Sequence, residues 1–339
     1  MESAEKESKV VVVTGASAGL GRAIAHEFAR EGARIALLAR NAEALGRARE
    51  EVESFGGKAI CIPLDVSDAD ALEQAAQRVE DELGPIDVWV NDAMVSVFSP
   101  VAEMQPEEYK RVTDVTYLGY VYGTLAALKR MRKRDSGVII QVGSALAYRS
   151  IPLQSAYCAA KHAIKGFTES LLCELQHDKS NVKVCMVHMP ALNTPQFNWV
   201  KSRLPNHPQP VPPIFQPEVG ARAVVWVANN PARETLVAYP TVEAVLGEKV
   251  IPAYLDSYLA KTCYEGQQCD LPFDPNRPNN LFSPVTGEAA THGVFDERAR
   301  EASPEMWARK HAKALGYAVA IGALSLAGGA ALLRNRKAA

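Results

Sequence analysis

The sequence predicts an α/β fold built on a doubly wound parallel sheet, and three observations predict it. Short runs rich in Val, Ile and Leu recur along the chain, close to continuously apolar, as strands buried on both faces are. Segments with helical period and end signals separate them, and that alternation is what a parallel sheet with helical crossovers requires. Between the first strand and the first helix stands a glycine-rich turn, T-G-A-S-A-G-L-G, at residues 14–21.

The elements follow in order. Strands are expected at VVVVTG (10–15), RIALLAR (34–40), AICIPLDV (59–66), DVWVNDA (87–93), GVIIQVGS (137–144) and VKVCMVHMP (182–190), with RETLVAY (233–239) as a last one. Helices are expected from Leu20 to Glu31, stopped by Gly32, from Ala42 to Phe55, stopped by Gly56 and Gly57, and from Ser67 to Leu83, stopped by Gly84 and Pro85. Two longer helices are expected near 105–134 and 155–178. The chain then divides into a polar N-terminus (1–8), a single Rossmann-like domain (9–260), an irregular Pro- and Asn-rich extension (261–310) that either wraps the domain or links it onward, and a hydrophobic segment (311–339). Residues 193–217, dense in proline with aromatics interspersed, read as a lid or binding loop.

Hydrophobic residues make up 47% and charged residues 22%, with a formal net charge of −2, so the balance is globular and no nucleic-acid surface is expected. The six cysteines are scattered without a C-x-x-C pair and read as buried thiols of a reducing compartment; Cys263 and Cys269 are near enough for a loop disulfide or half a metal site, but no partnering His pair lies close by and no metal is expected. MESAEKESK is polar and carries no leader pattern, so the catalytic part is expected in the cytoplasm.

In the turn, Gly15 permits a tight bend, Gly19 admits close approach of a pyrophosphate and Gly21 lets the helix pack, so that Ser17, Leu20 and the helix N-terminus face an anion. In SAYCAAKHA (155–163), Tyr157 and Lys161 are four apart on one helical face, which sets an ammonium beside a phenol. A cation there favours the phenolate and makes a usable proton donor and acceptor. Taken alone, the spacing is equally that of a surface tyrosine beside a solvated lysine.

Together, T-G-x-x-x-G-x-G and Y-x-x-x-K resemble the short-chain dehydrogenases/reductases over residues 8–260. Ser144 stands thirteen residues before Tyr157, as the catalytic serine of that family does, and Asp65-Val66, Asn91 and Pro190 to Thr194 fall in the family's order. The resemblance implies that Tyr157 exchanges a proton with the substrate oxygen, Lys161 lowers its pKa and holds the nicotinamide ribose, and Ser144 orients the substrate. It also implies that Asp65 and Val66 contact adenine, and that Asn91, Pro190 and Thr194 belong to the cofactor site. Arg40 follows Ala39 where an acidic residue would hold the 2′-hydroxyl of NAD, so NADP is expected rather than NAD.

Three positions depart from the family pattern. Asn91-Asp92-Ala93-Met94 replaces N-N-A-G, Pro190-Ala191 replaces P-G, and Thr116 stands where an asparagine commonly anchors a relay water, so that Thr116 inherits that catalytic place with a single hydroxyl. Two readings follow: an NADP-dependent oxidoreductase interconverting a hydrophobic alcohol and its carbonyl, or a catalytically weak NADP-binding scaffold or redox sensor. Met94, Ala145, Leu146, Tyr148, Leu192, Phe197 and Trp199 are expected to border an apolar substrate pocket, and Lys201 and Arg203 offer cations for an anionic head group or a solvated face. A homo-oligomer is expected. The uncharged run at 315–333, flanked by basic residues, is a candidate membrane anchor, with a soluble packing helix or an oligomer contact as the alternative.

Overall fold

The structure is a computed structural model that describes residues 8–287 and 289–311. The sheet has seven strands: β1 (Val10–Thr14), β2 (Arg34–Ala39), β3 (Lys58–Pro63), β4 (Val88–Asn91), β5 (Val138–Ser144), β6 (Lys183–Met189) and β7 (Glu234–Leu236). All neighbours are parallel, in the order β7-β6-β5-β4-β1-β2-β3. Valines 10–13 expose no surface, the burial on both faces that their unbroken apolar run requires. The chain winds one way from β1 to β3 and the other way from β4 to β7, so the strand order reverses between β1 and β4. A ligand crevice opens at that point, beyond the carboxyl ends of the strands.

The helices obey their end signals. Helix α1 (Gly19–Arg30) runs into Gly32 at φ 75°, α2 (Ala42–Ser54) is capped by Asn41, whose side chain accepts the Ala44 N–H, and α3 (Ala69–Leu83) by Asp68, which accepts the Ala71 N–H and moves the start two residues past Ser67. The helix expected over 105–134 is instead two, α4 (Pro106–Thr113) and α5 (Gly119–Arg134), joined by a wide π-type turn over Asp114–Leu118. Helix α6 (Ser155–His177) carries Tyr157 and Lys161. A short α7 (Gln196–Trp199) interrupts the proline-rich lid, and α8 (Pro217–Asn229), α9 (Tyr239–Val250) and α10 (Pro252–Gly266) complete the domain.

The extension does not stand apart, because a single compact unit runs through Ala302. Gln268-Cys269 pairs with His207-Pro208, and Ala299-Arg300 pairs with Ile214-Phe215, so residues 261–302 are stitched to the lid by short ladders. Residues from Ser303 form a second unit whose described part is one helix, Pro304–Lys310, capped by Ser303. The run at 315–333 lies outside the described residues; among those described, no helix is long and apolar enough to cross a membrane. The six thiols are free; Cys158, Cys185 and Cys263 are buried, but Cys173 is exposed, since the outer face of α6 turns it to solvent.

Lys201 and Arg203 are not available as head-group ligands. Both bind the carboxylate of Glu108 on α4, at 2.6 and 2.8 Å, and Glu108 is 1% exposed. Burial works against the charged carboxylate. The bonds from Arg203, the Gln105 N–H and Lys201 outweigh it and hold the pKa at about 2, below the ordinary 4.5. A depressed carboxylate stabilises the fold above its unfolded pKa and ceases to do so as pH falls through its folded one. Glu108→Gln is therefore expected to lower Tm at neutral pH and to flatten the loss of Tm between pH 4.5 and 2 that the wild type shows. Circular-dichroism melts across that window check it, and a parallel offset between the two curves would refute the assignment.

Candidate active site

The turn after β1 is built for close approach. Gly15 and Gly19 take φ of 74° and 56°, and a Cβ on Gly15 would stand 2.9 Å from the Ala93 backbone. Gly21 packs so tightly on the Gly15 carbonyl and the Asp92 carboxylate that no side chain fits. The Thr14 hydroxyl accepts the N–H groups of Asp92 (2.9 Å) and Ala93 (3.2 Å), which joins the end of β1 to the end of β4. Ala18 at the N-cap of α1 supplies no side-chain cap, and the first-turn N–H groups of Gly19 and Gly21 are met by the Ala290 carbonyl and the Asp92 carboxylate. Among the expected cofactor residues, Gly15, Ser17, Gly19, Leu20, Arg40, Asp65, Val66, Pro190 and Thr194 line one cavity of about 490 Å³, and Gly21 stands directly behind it.

Ser144, Tyr157 and Lys161 line the same cavity. Ser144 ends β5, where its Oγ accepts the Leu146 N–H at 3.1 Å and shares a hydrogen bond with the Tyr157 phenol. Lys161, 2% exposed, donates to the Val142 carbonyl (2.8 Å) and the Tyr120 hydroxyl (2.9 Å), and its Nζ lies 5.6 Å from the centre of the Tyr157 ring. The phenol pKa lies above its ordinary value, opposite to the expected lowering, and Lys161 is not among the groups that set it. Burial pushes Tyr157 well up, the bond to Ser144 pulls it down, and Cys158 and the carboxylate of Asp92 push it up further. The phenol is thus protonated at neutral pH, the form that donates to a carbonyl oxygen.

Asp92 is the titratable group of this cavity that sequence reasoning passed over. Its carboxylate accepts the Gly21 N–H beneath the turn, where burial raises its pKa and the Lys161 ammonium lowers it. The same burial depresses Lys161, while Asp92 supports its charge. The signal was present in N-D-A-M, an ionisable residue at the end of a central strand.

Other expected residues point elsewhere. The Asn91 side chain turns into the sheet, where its amide nitrogen meets Gln141, Thr124 and the Tyr120 carbonyl, and its oxygen accepts the Trp89 indole N–H. It holds strands and helix together and does not line the cavity. The Thr116 hydroxyl donates to the Val95 carbonyl at 2.9 Å and accepts the Val95 N–H at 3.1 Å, with the residue fully buried. It fastens the π-type turn to the chain after β4, which leaves it no place in the cavity as a holder of relay water. Of the substrate-pocket residues, Met94, Ala145, Leu146, Leu192, Phe197 and Trp199 line the cavity. Tyr148 does not; its hydroxyl donates to Glu234 and its ring packs on His188. Reasoning from sequence missed Pro212, Leu259 and Cys263, brought to the far wall by the lid and α10.

Comparison with known proteins agrees with this geometry. The model of the short chain dehydrogenase family matches residues 9–203. An uncharacterized oxidoreductase of Bacillus subtilis, YxnA, is 32% identical over 283 residues, covering 83% of this chain and 80% of its own. A 3-dehydrosphinganine reductase of Danio rerio is 33% identical over 223 residues, 63% of this chain and 67% of its own. Among solved structures, an alcohol dehydrogenase of Thermococcus sibiricus complexed with 5-hydroxy-NADP superposes with a TM-score of 0.58 at 26% identity, over 68% of this chain and 95% of that one. A metagenomic short-chain oxidoreductase in complex with NADP gives 0.57 at 29%, over 68% and 96%.

Proposed function

Since the chain belongs to the short chain dehydrogenase family, we propose that it is an NADP-dependent oxidoreductase interconverting a hydrophobic alcohol and its carbonyl, with Tyr157 as the proton donor and acceptor. The observation that carries this is the meeting of Ser144, Tyr157 and Lys161 in one cavity with the glycine turn and Arg40. The cradle fits a dinucleotide: its glycines leave backbone where side chains would stand, and Arg40 offers a cation where an acidic residue would favour NAD. When bound, the cofactor supplies or receives the hydride. The chain's own residues position and protonate. Ser144 and Tyr157 hold the substrate oxygen between two hydroxyls, and the Tyr157 proton moves to it in reduction and returns in oxidation. Lys161, fixed on Val142 and Tyr120, keeps a cation beneath the phenol and steadies the phenolate left behind.

The wall beyond these residues supports an apolar substrate. Met94, Leu146, Phe197, Trp199 and Leu259 carry no charge and surround the space into which a substituent on the carbonyl would extend. A 3-dehydrosphinganine reductase and a fatty acyl-CoA reductase among the relatives favour a long-chain carbonyl compound. NADPH oxidation is the test, run with ketones and aldehydes of increasing chain length. kcat/KM should rise with chain length, and saturable NADPH binding without turnover of any member would support the scaffold reading instead.

Cofactor choice gives a second expectation. Arg40→Ala should weaken NADPH binding by about ten- to a hundredfold, the value of one or two charge-assisted hydrogen bonds, and leave NADH nearly unchanged. Isothermal titration measures both. Equal affinities in the wild type would remove the 2′-phosphate assignment.

A further inference from the structure

Part of the extension crosses the cofactor crevice. Residues 277–287 and 289–293, more than two hundred positions from the glycine turn in sequence, meet it through main-chain carbonyls. The Arg40 guanidinium donates to the carbonyls of Asn280 (2.6 Å) and Phe282 (3.2 Å), Asn41 to that of Val285 (3.1 Å), and the Gly19 N–H to that of Ala290 (2.9 Å). Leu281 anchors this arm, fully buried in the core, with its carbonyl held by Arg111. The Asn280 N–H is bonded to Trp199, and Arg277 to Phe197 and Val200, so the arm is also fastened to the lid.

Two further facts concern what lies beneath it. Asn280, Pro284, Val285 and Thr286 line the same cavity as Arg40 and Asp65. The side-chain oxygen of Asn280 is buried and has no hydrogen-bond partner among the described residues. A buried amide oxygen left unpaired is unfavourable, and a ligand hydroxyl or amino group would satisfy it.

We infer that this arm is an added wall of the cofactor site, closing the adenosine 2′-phosphate end, with Asn280 as a hydrogen-bond acceptor for the adenosine and the arm carbonyls as the holders that aim Arg40. The inference rests on the NADP reading above. Two of the guanidinium's five N–H groups serve the arm, which fixes the plane of the fork and leaves the others for the phosphate. A dinucleotide seated under the arm is retained by it, and leaves as fast as the arm lifts.

Three measurements on the full chain test this, none of them turnover. Hydrogen exchange in the wild type should slow in the arm peptides when NADPH is added, and less with NADH. Asn280→Asp, which keeps the shape and sets a carboxylate near the 2′-phosphate, should raise the Kd for NADPH at least tenfold and that for NADH less than threefold. Arg277→Ala, which removes the arm's two side-chain bonds to the lid, should speed NADPH release at least fivefold in stopped-flow fluorescence. A wild type that binds NADPH no more tightly than NADH overturns the cofactor reading and this inference with it. A wild type that prefers NADPH, with arm exchange unchanged on binding and both variants within twofold, leaves that reading standing and overturns the arm. Thermal melts show whether each variant is folded, and the exchange result needs no variant.

Discussion

Tyr157→Phe is expected to lower kcat for carbonyl reduction by about 10²- to 10⁴-fold, the usual worth of a positioned proton donor, with the Kd for NADPH within about twofold of wild type. The substitution removes one oxygen and keeps the ring, so the packing of α6 is retained. Ser144 keeps its bond from the Leu146 N–H and loses only the phenol. Burial holds the Tyr157 pKa above its ordinary value, so the wild-type phenol stays protonated through the neutral range and reduction should show no fall from its ionisation there. Oxidation needs the phenolate, and its rate should climb as pH rises. Steady-state kinetics in both directions, with NADPH affinity measured separately, check the pair of statements. A variant keeping more than about a tenth of wild-type kcat would remove Tyr157 from the proton transfer.

What the sequence disclosed about this site was what neighbouring residues determine. The turn at Gly15, Gly19 and Gly21 is legible because its conformation is demanded within eight residues, and Tyr157 and Lys161 because helical pitch puts them on one face. The strands are legible because burial on both faces leaves an apolar run. Groups whose partners are remote in sequence were not legible. Asn91 finds Gln141 fifty positions away, and Arg203 finds Glu108 ninety-five away, and in both cases the bond takes the side chain from a ligand role. Thr116 was expected within one long helix, but it lies in the π-type turn that divides that helix, and its hydroxyl is taken by Val95. The arm is the extreme case: it makes its bonds through carbonyls, which every residue possesses, so composition carried no sign of where it lies. Asp92 was passed over for another reason. N-D-A-M was noted only as a departure from N-N-A-G, whereas its larger physical consequence is a carboxylate whose pKa burial raises.

That carboxylate determines what should happen when its neighbour is removed. Lys161→Ala is expected to reduce kcat by about a hundredfold or more, since the phenolate loses the cation that steadies it, and to weaken NADPH binding as well. It should also change how stability depends on pH. Burial raises the Asp92 pKa above its ordinary value, and Lys161, together with the Gly21 N–H, restrains the rise. A carboxylate whose folded pKa is raised leaves stability intact below its unfolded pKa and takes it away as pH climbs through the folded one. Without Lys161 the folded pKa moves higher, so more stability is lost on the alkaline side. The Tm of Lys161→Ala should therefore fall further below wild type at about pH 8 than at about pH 6. Adding Asp92→Asn removes the ionisable group and should restore most of the alkaline deficit without restoring kcat. Melts of the two single variants and the double variant at both pH values supply the comparison. If the double variant retains the pH-dependent deficit of Lys161→Ala, Asp92 and Lys161 are not coupled as described, and the lysine's interior charge must be balanced by another group.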